Sequence, residues 1–281
     1  MATIESHTPS EIVGRRPAHG TLDFDEETSP AVIEQLVRAE FLCQQRLVQG
    51  RRVLDVGCGT GYTAHYLVRR GGAEAVVGLE VDHNLVEDNR AENQDRRIDF
   101  ESYDGGKFPF PSEAFDVVTC FEVLEHVTQE VQRHLLEEIA RVVRPSGSAV
   151  LSTPYRPVYS PDGISLNPDH INELDDYEFT ALCKSSFGGV MLYGQRLVDT
   201  ESFKARQRHH RRAHSSLGTL LRRVGVQSLV RYTRSLRSTP SFKQVMSQFR
   251  IATGIDDRSL VQLAICRQPQ LRTSTPRCPT S

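Results

Sequence analysis

The chain predicts an α/β fold: a doubly wound, mostly parallel seven-stranded sheet with a basic insertion before the last strand. Three observations carry this. Apolar runs of strand length alternate with amphipathic helical stretches between Ser29 and Gln195, the order that puts helices on both faces of a parallel sheet. The first such run, RRVLDVG, leads straight into a glycine-rich turn and a helical segment. Acids and glycines gather after the strands, where a sheet of this kind collects its ligands.

The elements follow in order. PAVIEQLVRAEFLCQQRLV has helical periodicity, with Ser29 as N-cap and Pro30 in the first helical position, where a missing N–H costs nothing. RRVLDVG reads as the first buried strand, GYTAHYLVRRG as a helix stopped by Gly71, and EAVVGLEV as the second strand. HNLVEDNRAENQ gives a helix, IDFES a third strand and FDVVTCF a fourth. TQEVQRHLLEEIARVVRPSG is the clearest helix, capped by Thr128 and ended by Pro145 and Gly147. SAVLSTP is the fifth strand, DDYEFTALCKSSF a helix, GGVMLYGQ the sixth strand and SLVQLAICR the last.

This order divides the chain into a mobile arm at 1–28, a core at 29–195, a basic helical appendage at 196–257, and a last strand with its tail at 258–281. Within the core, the connection at 154–176 is longer than a simple turn needs, so it is expected to cover a substrate. The appendage carries thirteen Lys or Arg between Arg196 and Arg250 against Asp199 and Glu201 alone. Such a block meets phosphates, nucleic acid or an anionic surface, or forms a solvated arginine-rich face.

Composition narrows the class. A hydrophobic fraction of 38% and a charged fraction of 25% are ordinary for a globular protein. No apolar run approaches the roughly 20 residues of a membrane-spanning helix, and the first residues lack the apolar stretch of a secretory leader. The expectation is a cytoplasmic protein. The six cysteines contain no CxxC pair, so neither a disulfide framework nor a cysteine zinc site is indicated.

The turn DVGCGTG resembles the cofactor loop of the class I S-adenosylmethionine-dependent methyltransferases, a Rossmann-like family. Glycines at 57, 59 and 61 let the backbone turn tightly and approach a ligand without Cβ obstruction. The loop departs from the GxGxxG dinucleotide fingerprint, which disfavours a dehydrogenase. Glu80, at the next strand end, looks like the family's ribose-binding acid. SYDGGKFPFP resembles the segment that meets adenine through Asp104 and Gly105. RAEFL resembles an arginine-bearing helix of one subgroup, in which Arg38 pairs with the cofactor carboxylate; otherwise Arg38 is a surface arginine. The resemblance spans about Val32 to Gln195 and implies S-adenosyl-L-methionine as cofactor. It assigns to its binding Arg38, Asp55, Gly57, Cys58, Gly59, Gly61, Glu80, Asp104, Gly105 and Phe121.

After the fourth strand, FEVLEHV brings Glu122, Glu125 and His126 to positions that share one face if the chain turns helical. A later His170 stands in the long connection. E-x-x-E-H with a later histidine resembles the divalent-metal site of the small-RNA 3'-end 2'-O-methyltransferases, and E-x-x-E-H alone resembles the ubiquinone-pathway O-methyltransferases. The resemblance implies Glu122, Glu125, His126 and His170 as ligands of Mg²⁺ or Mn²⁺. Alternatively, His126 or His170 acts as a metal-free general base, or the turn is structural. The long N-P-x-H loop and the strand ending in GQ resemble bacterial methyltransferases of sugars and specialised metabolites, which implies O-methylation of a small acceptor. Asp162, Asp169, Glu173, Asp175 and Asp176 leave an amine acceptor such as an aminosugar open. The arginine block leaves RNA open, and a cofactor-binding regulatory protein without turnover is the reading from another class. The oligomeric state is not legible.

Overall fold

The computed structural model describes residues 30–163, 165, 167–199, 244 and 246–270. The N-terminal arm, most of the basic segment and Cys278 lie outside them. The element order is α1 (Pro30–Gln44), β1 (Arg52–Val56), α2 (Tyr62–Arg69), β2 (Ala75–Glu80), α3 (His83–Glu92), β3 (Ile98–Ser102) and β4 (Phe115–Phe121). It continues with α4 (Gln129–Val142), β5 (Val143–Pro154), α5 (Arg156–Tyr159), α6 (Asp176–Lys184), β6 (Phe187–Leu197), β7 (Phe249–Thr253) and β8 (Ser259–Pro269).

One sheet runs in the order β3-β2-β1-β4-β5-β8-β6-β7. The first five strands in that order are mutually parallel, and β8 inserts antiparallel between β5 and β6. The chain winds outward from β1 through β2 to β3 and, in the other direction, from β4 to β5. The crevice between β1 and β4 is therefore the switch point at which such sheets bind ligands.

Alternation along the strands builds two cores. Val53 and Val117 face the layer that holds Leu36, Leu42, Tyr66 and Leu67, while Leu54 and Val118 face Leu136, Ile139 and Phe179 on the other side. All four of these strand residues are fully buried, and each such burial contributes on the order of 1.5–3 kcal/mol. Both sheet faces are thus covered, which is why these strands read as continuous apolar runs. Thr128 caps α4 as expected, its hydroxyl accepting the Val131 amide; the expected cap Ser29 lies outside the described residues, and α4 ends at Val142, so Pro145 and Gly147 stand inside β5 and not at the helix end. The structure adds a reciprocal capping box of Asp175 and Glu178 on α6.

Two further expectations need correction. The sheet has eight strands among the described residues, not seven, because Phe249–Thr253 pairs antiparallel with Gly194–Leu197 at the edge. This stretch falls in the segment read as helical appendage. An edge strand is half-exposed on both sides and carries no apolar run of its own, so its partner, not its pattern, makes it a strand. Second, FEVLEHV does not form a helical turn with three groups on one face. Only Leu124–His126 is helical, as a 3-10 turn, and Glu122 precedes it in the left-handed region at φ +55°, a strained conformation for a residue with a Cβ.

Candidate active site

The carboxyl ends of β1, β2, β4 and β5 open onto a cavity of about 810 Å³, within the range of small-molecule sites. At its floor the glycine turn runs through three left-handed residues, Gly57, Gly59 and Gly61, at φ +69°, +52° and +76°. A Cβ on Gly57 would lie 2.4 Å from Val123 Cγ2, whereas one on Gly59 would meet nothing within 4 Å. Gly57 is glycine for packing beneath the turn; Gly59 faces open space. Glu80 braces the turn, accepting the Gly59 amide at 3.0 Å through one oxygen and the Val81 amide at 2.8 Å through the other. Asn89 on α3 donates to the Gly59 carbonyl at 2.7 Å. The motif reading missed Asn89, and its buried place on an otherwise polar helix is visible only in the fold.

Asp55 and Cys58 are buried and line the cavity. Thr119 donates to Asp55 Oδ1 at 2.7 Å, while Oδ2 is buried without a hydrogen-bond partner. Burial pushes this carboxyl from an ordinary 3.8 up to about 7; the Thr119 bond pulls the other way and the Glu80 charge adds to the rise. A raised folded-state value means that stability from the neutral carboxyl is fully present below about pH 4 and is lost as pH rises through about 7. Asp55→Asn, neutral throughout, should therefore gain melting temperature over the wild type between pH 5 and pH 8. A pH-independent gap between the two would contradict this.

Phe121 and Gly105 also line the cavity, beside Tyr103 and Gly106. Asp104 does not: its Oδ1 accepts the Gly106 amide at 3.0 Å and the residue is exposed at the rim. Arg38 is not a surface arginine. It is 1% exposed and lines the cavity. Its Nη1 donates to Gln195 Oε1 at 3.0 Å and its Nη2 lies 3.8 Å from Glu122, while its Nε has no partner. A buried guanidinium is costly unless its donors are matched, and here one donor is left unmatched.

At the other end of the cavity stand the groups that follow β4 and β5. Glu125 is 1% exposed; Thr153 donates to its Oε2 at 2.9 Å and its Oε1 is unpartnered. Burial, and then the neighbouring Glu122, raise this carboxyl well above the usual range. His126 Nδ1 lies 3.1 Å from the Asp169 carbonyl, and burial followed by the nearby His170 lowers its pKa. His170 Nδ1 lies 2.8 Å from Glu173 Oε1. The two imidazoles meet edge-to-face at 4.9 Å between centroids, and Tyr159 stacks on His170.

Glu125, His126 and His170 each bring one ligand atom within 4.8 Å of the others. Glu122 is not part of this group: it accepts the Ser152 hydroxyl at 2.8 Å and faces Arg38, because its left-handed backbone turns it toward β5. Of the loop carboxylates, only Asp169 lines the cavity. Glu173 is taken up by Ser160, Ser165 and His170, and Asp175 caps α6 and pairs with Arg156. The long connection is held down as well, for the Ile171 and Asn172 amides both donate to the Glu125 carbonyl, at 2.9 and 3.1 Å.

Residues 53–147 match a family described as a methyltransferase domain. A Mycolicibacterium smegmatis protein named "probable S-adenosylmethionine-dependent methyltransferase" is 35% identical over 167 residues, covering 57% of this chain and 63% of that one. A ubiquinone biosynthesis O-methyltransferase of Coxiella burnetii is 32% identical over 119 residues, covering 42% and 49%. The chain thus spans about half to just under two thirds of these relatives' lengths. Among solved structures, a SAM-dependent methyltransferase of Thermotoga maritima superposes with a TM-score of 0.53 at 14% identity, over 85% of this chain and 91% of that one. One of Mesorhizobium loti gives 0.50 at 18%, over 82% and 98%. At such identities these two speak to the fold alone.

Proposed function

The chain carries a methyltransferase domain of the class I S-adenosylmethionine-dependent family, and from that premise we propose that it methylates a hydroxyl of a small sugar-containing or specialised metabolite in the cytoplasm. The observation that carries the acceptor reading is that two histidines from separate strand-end loops, His126 and His170, line the same cavity as the glycine turn.

The cofactor sulfonium is already an electrophile, so the protein has two tasks: to align the acceptor oxygen behind the methyl group at roughly 3–3.5 Å, and to accept its proton. In this reading Glu80 receives the ribose hydroxyls, the open face of the glycine turn at Gly59 receives the cofactor chain, and Gly105 flanks the base. Arg38, which lines the cavity, receives the carboxylate. Asp55, Cys58 and Phe121 shape the pocket, and Asp104 reaches adenine only by turning from the Gly106 amide. The 154–176 connection supplies the acceptor wall, and the basic 196–257 segment governs acceptor access.

The donor set also fits Mg²⁺ or Mn²⁺. Glu125 has a buried, unpartnered oxygen, and both histidines have Nδ1 engaged, leaving Nε2 as the ligand atom. Glu125, His126 and His170 would hold the ion, with Glu122 joining only through a change of rotamer. A bound divalent ion supplies Lewis acidity toward an acceptor hydroxyl. An amine acceptor is less well served, since four of the five loop acids face elsewhere than the cavity.

The test is methyl transfer from labelled cofactor to a panel of sugars, phenols, amines and RNA, with and without chelator. Labelling confined to hydroxyl acceptors is expected. Transfer to amines or RNA would replace the acceptor class, and cofactor binding without any transfer would favour a regulatory protein.

A further inference from the structure

Glu173 reads from the sequence as one more loop carboxylate, yet the fold treats it as a core group. It is 8% exposed, and both sides of it are fixed: its carbonyl accepts Arg156 Nη1 at 3.1 Å, and the next residue, Leu174, bridges to Tyr155. Its carboxylate receives three donors. Ser160 donates to Oε2, Ser165 donates to Oε1 at 2.6 Å, and His170 Nδ1 shares Oε1 at 2.8 Å. Two hydroxyls and an imidazole nitrogen converging on one carboxylate match its ionised, acceptor-only form. An ionised carboxylate only accepts, so the hydrogen between Glu173 and His170 belongs to Nδ1.

We propose that Glu173 is a positioning residue that fixes His170 as the Nδ1–H tautomer, so that Nε2 presents a lone pair at the acceptor end of the cavity. Ser160 and Ser165 hold the carboxylate in the orientation this requires. The same short segment does the equivalent for His126, whose Nδ1 faces the Asp169 carbonyl, another group that only accepts. One loop stretch, Asp169–Glu173, thus sets both imidazoles alike and is itself pinned through Ile171 and Asn172 to the Glu125 carbonyl. The chemical value of this tautomer rests on the reading of His170 as an acceptor-site group; the tautomer itself does not.

Histidine ¹⁵N NMR of the full chain near pH 8 tests the proposal without an acceptor. The wild type should show His170 protonated on Nδ1. Glu173→Met, similar in size but with no strong acceptor, should shift His170 toward the Nε2–H form. Glu173→Gln should keep the wild-type signature, because its carbonyl oxygen still accepts. S-adenosylhomocysteine affinity and the His126 signal should be unchanged in both. With a labelled acceptor, Glu173→Met should lower kcat about 10–100-fold at constant cofactor KM, and Glu173→Gln should restore most of it. An Nε2–H tautomer in the wild type, or an unchanged tautomer in folded Glu173→Met, overturns the proposal. If Glu173→Met does not fold, the wild-type tautomer decides alone. Failure of the methyltransferase reading shows separately, as absent S-adenosylhomocysteine binding by the wild type.

Discussion

Glu80→Ala will weaken S-adenosylhomocysteine binding by roughly 100-fold, a loss of about 2.7 kcal/mol. Hydrogen bonds to a charged group contribute about 1.5–3 kcal/mol each, and the proposed ribose contact comprises two of them. Removing the carboxylate also frees the Gly59 and Val81 amides it now accepts, so the turn loses its brace along with the ligand. Gly59→Val should produce a comparable loss by another route. A side chain there has room within the fold, but that room is the cavity itself, and the left-handed backbone adds a strain of about 1–2 kcal/mol. Calorimetry with both variants checks the pair. Unchanged affinity in both would remove the cofactor assignment, and tighter binding of NAD than of S-adenosylhomocysteine would replace it.

His126→Ala and His170→Ala should each lower methyl transfer by about 10²–10⁴-fold, the usual worth of a positioned acid or base, while cofactor affinity changes by less than about twofold. The separation follows from geometry: the histidines stand on the loops after β4 and β5, where their hydrogen bonds and ring contacts run to Asp169, Glu173, Tyr159 and each other. Chelator distinguishes the two chemical roles. If Glu125, His126 and His170 hold a divalent ion, chelation abolishes turnover and Mg²⁺ or Mn²⁺ restores it. If a histidine is the base, chelator has no effect and the histidine variants alone are slow. Full activity of both folded variants in the presence of chelator would end both readings and leave the cluster a structural one.

What the sequence by itself determined is the part of this protein written in local patterns. Apolar runs long enough to be buried on both sides specified β1, β2 and β4. Thr128 specified the start of α4, because a cap is chosen by the amides within three residues of it. The glycine turn was legible for the same reason, since a left-handed backbone needs glycine whatever surrounds it.

The tertiary structure decided what depends on partners distant in the chain. Arg38 reads equally as a surface residue until Gln195, 157 positions later, is placed against it. Glu122 and Glu125 share a motif, but a left-handed residue and two different hydroxyl partners send one toward Arg38 and leave the other beside the histidines. Glu173 changed from a solvated acid to a buried acceptor once Ser160, Ser165 and His170 converged on it. The edge strand β7 exists because β6 offers it unpaired backbone groups. In each case the energy at stake, a buried charge or a free hydrogen-bonding group, arises only when the fold removes water from it, and no local pattern reports where that happens.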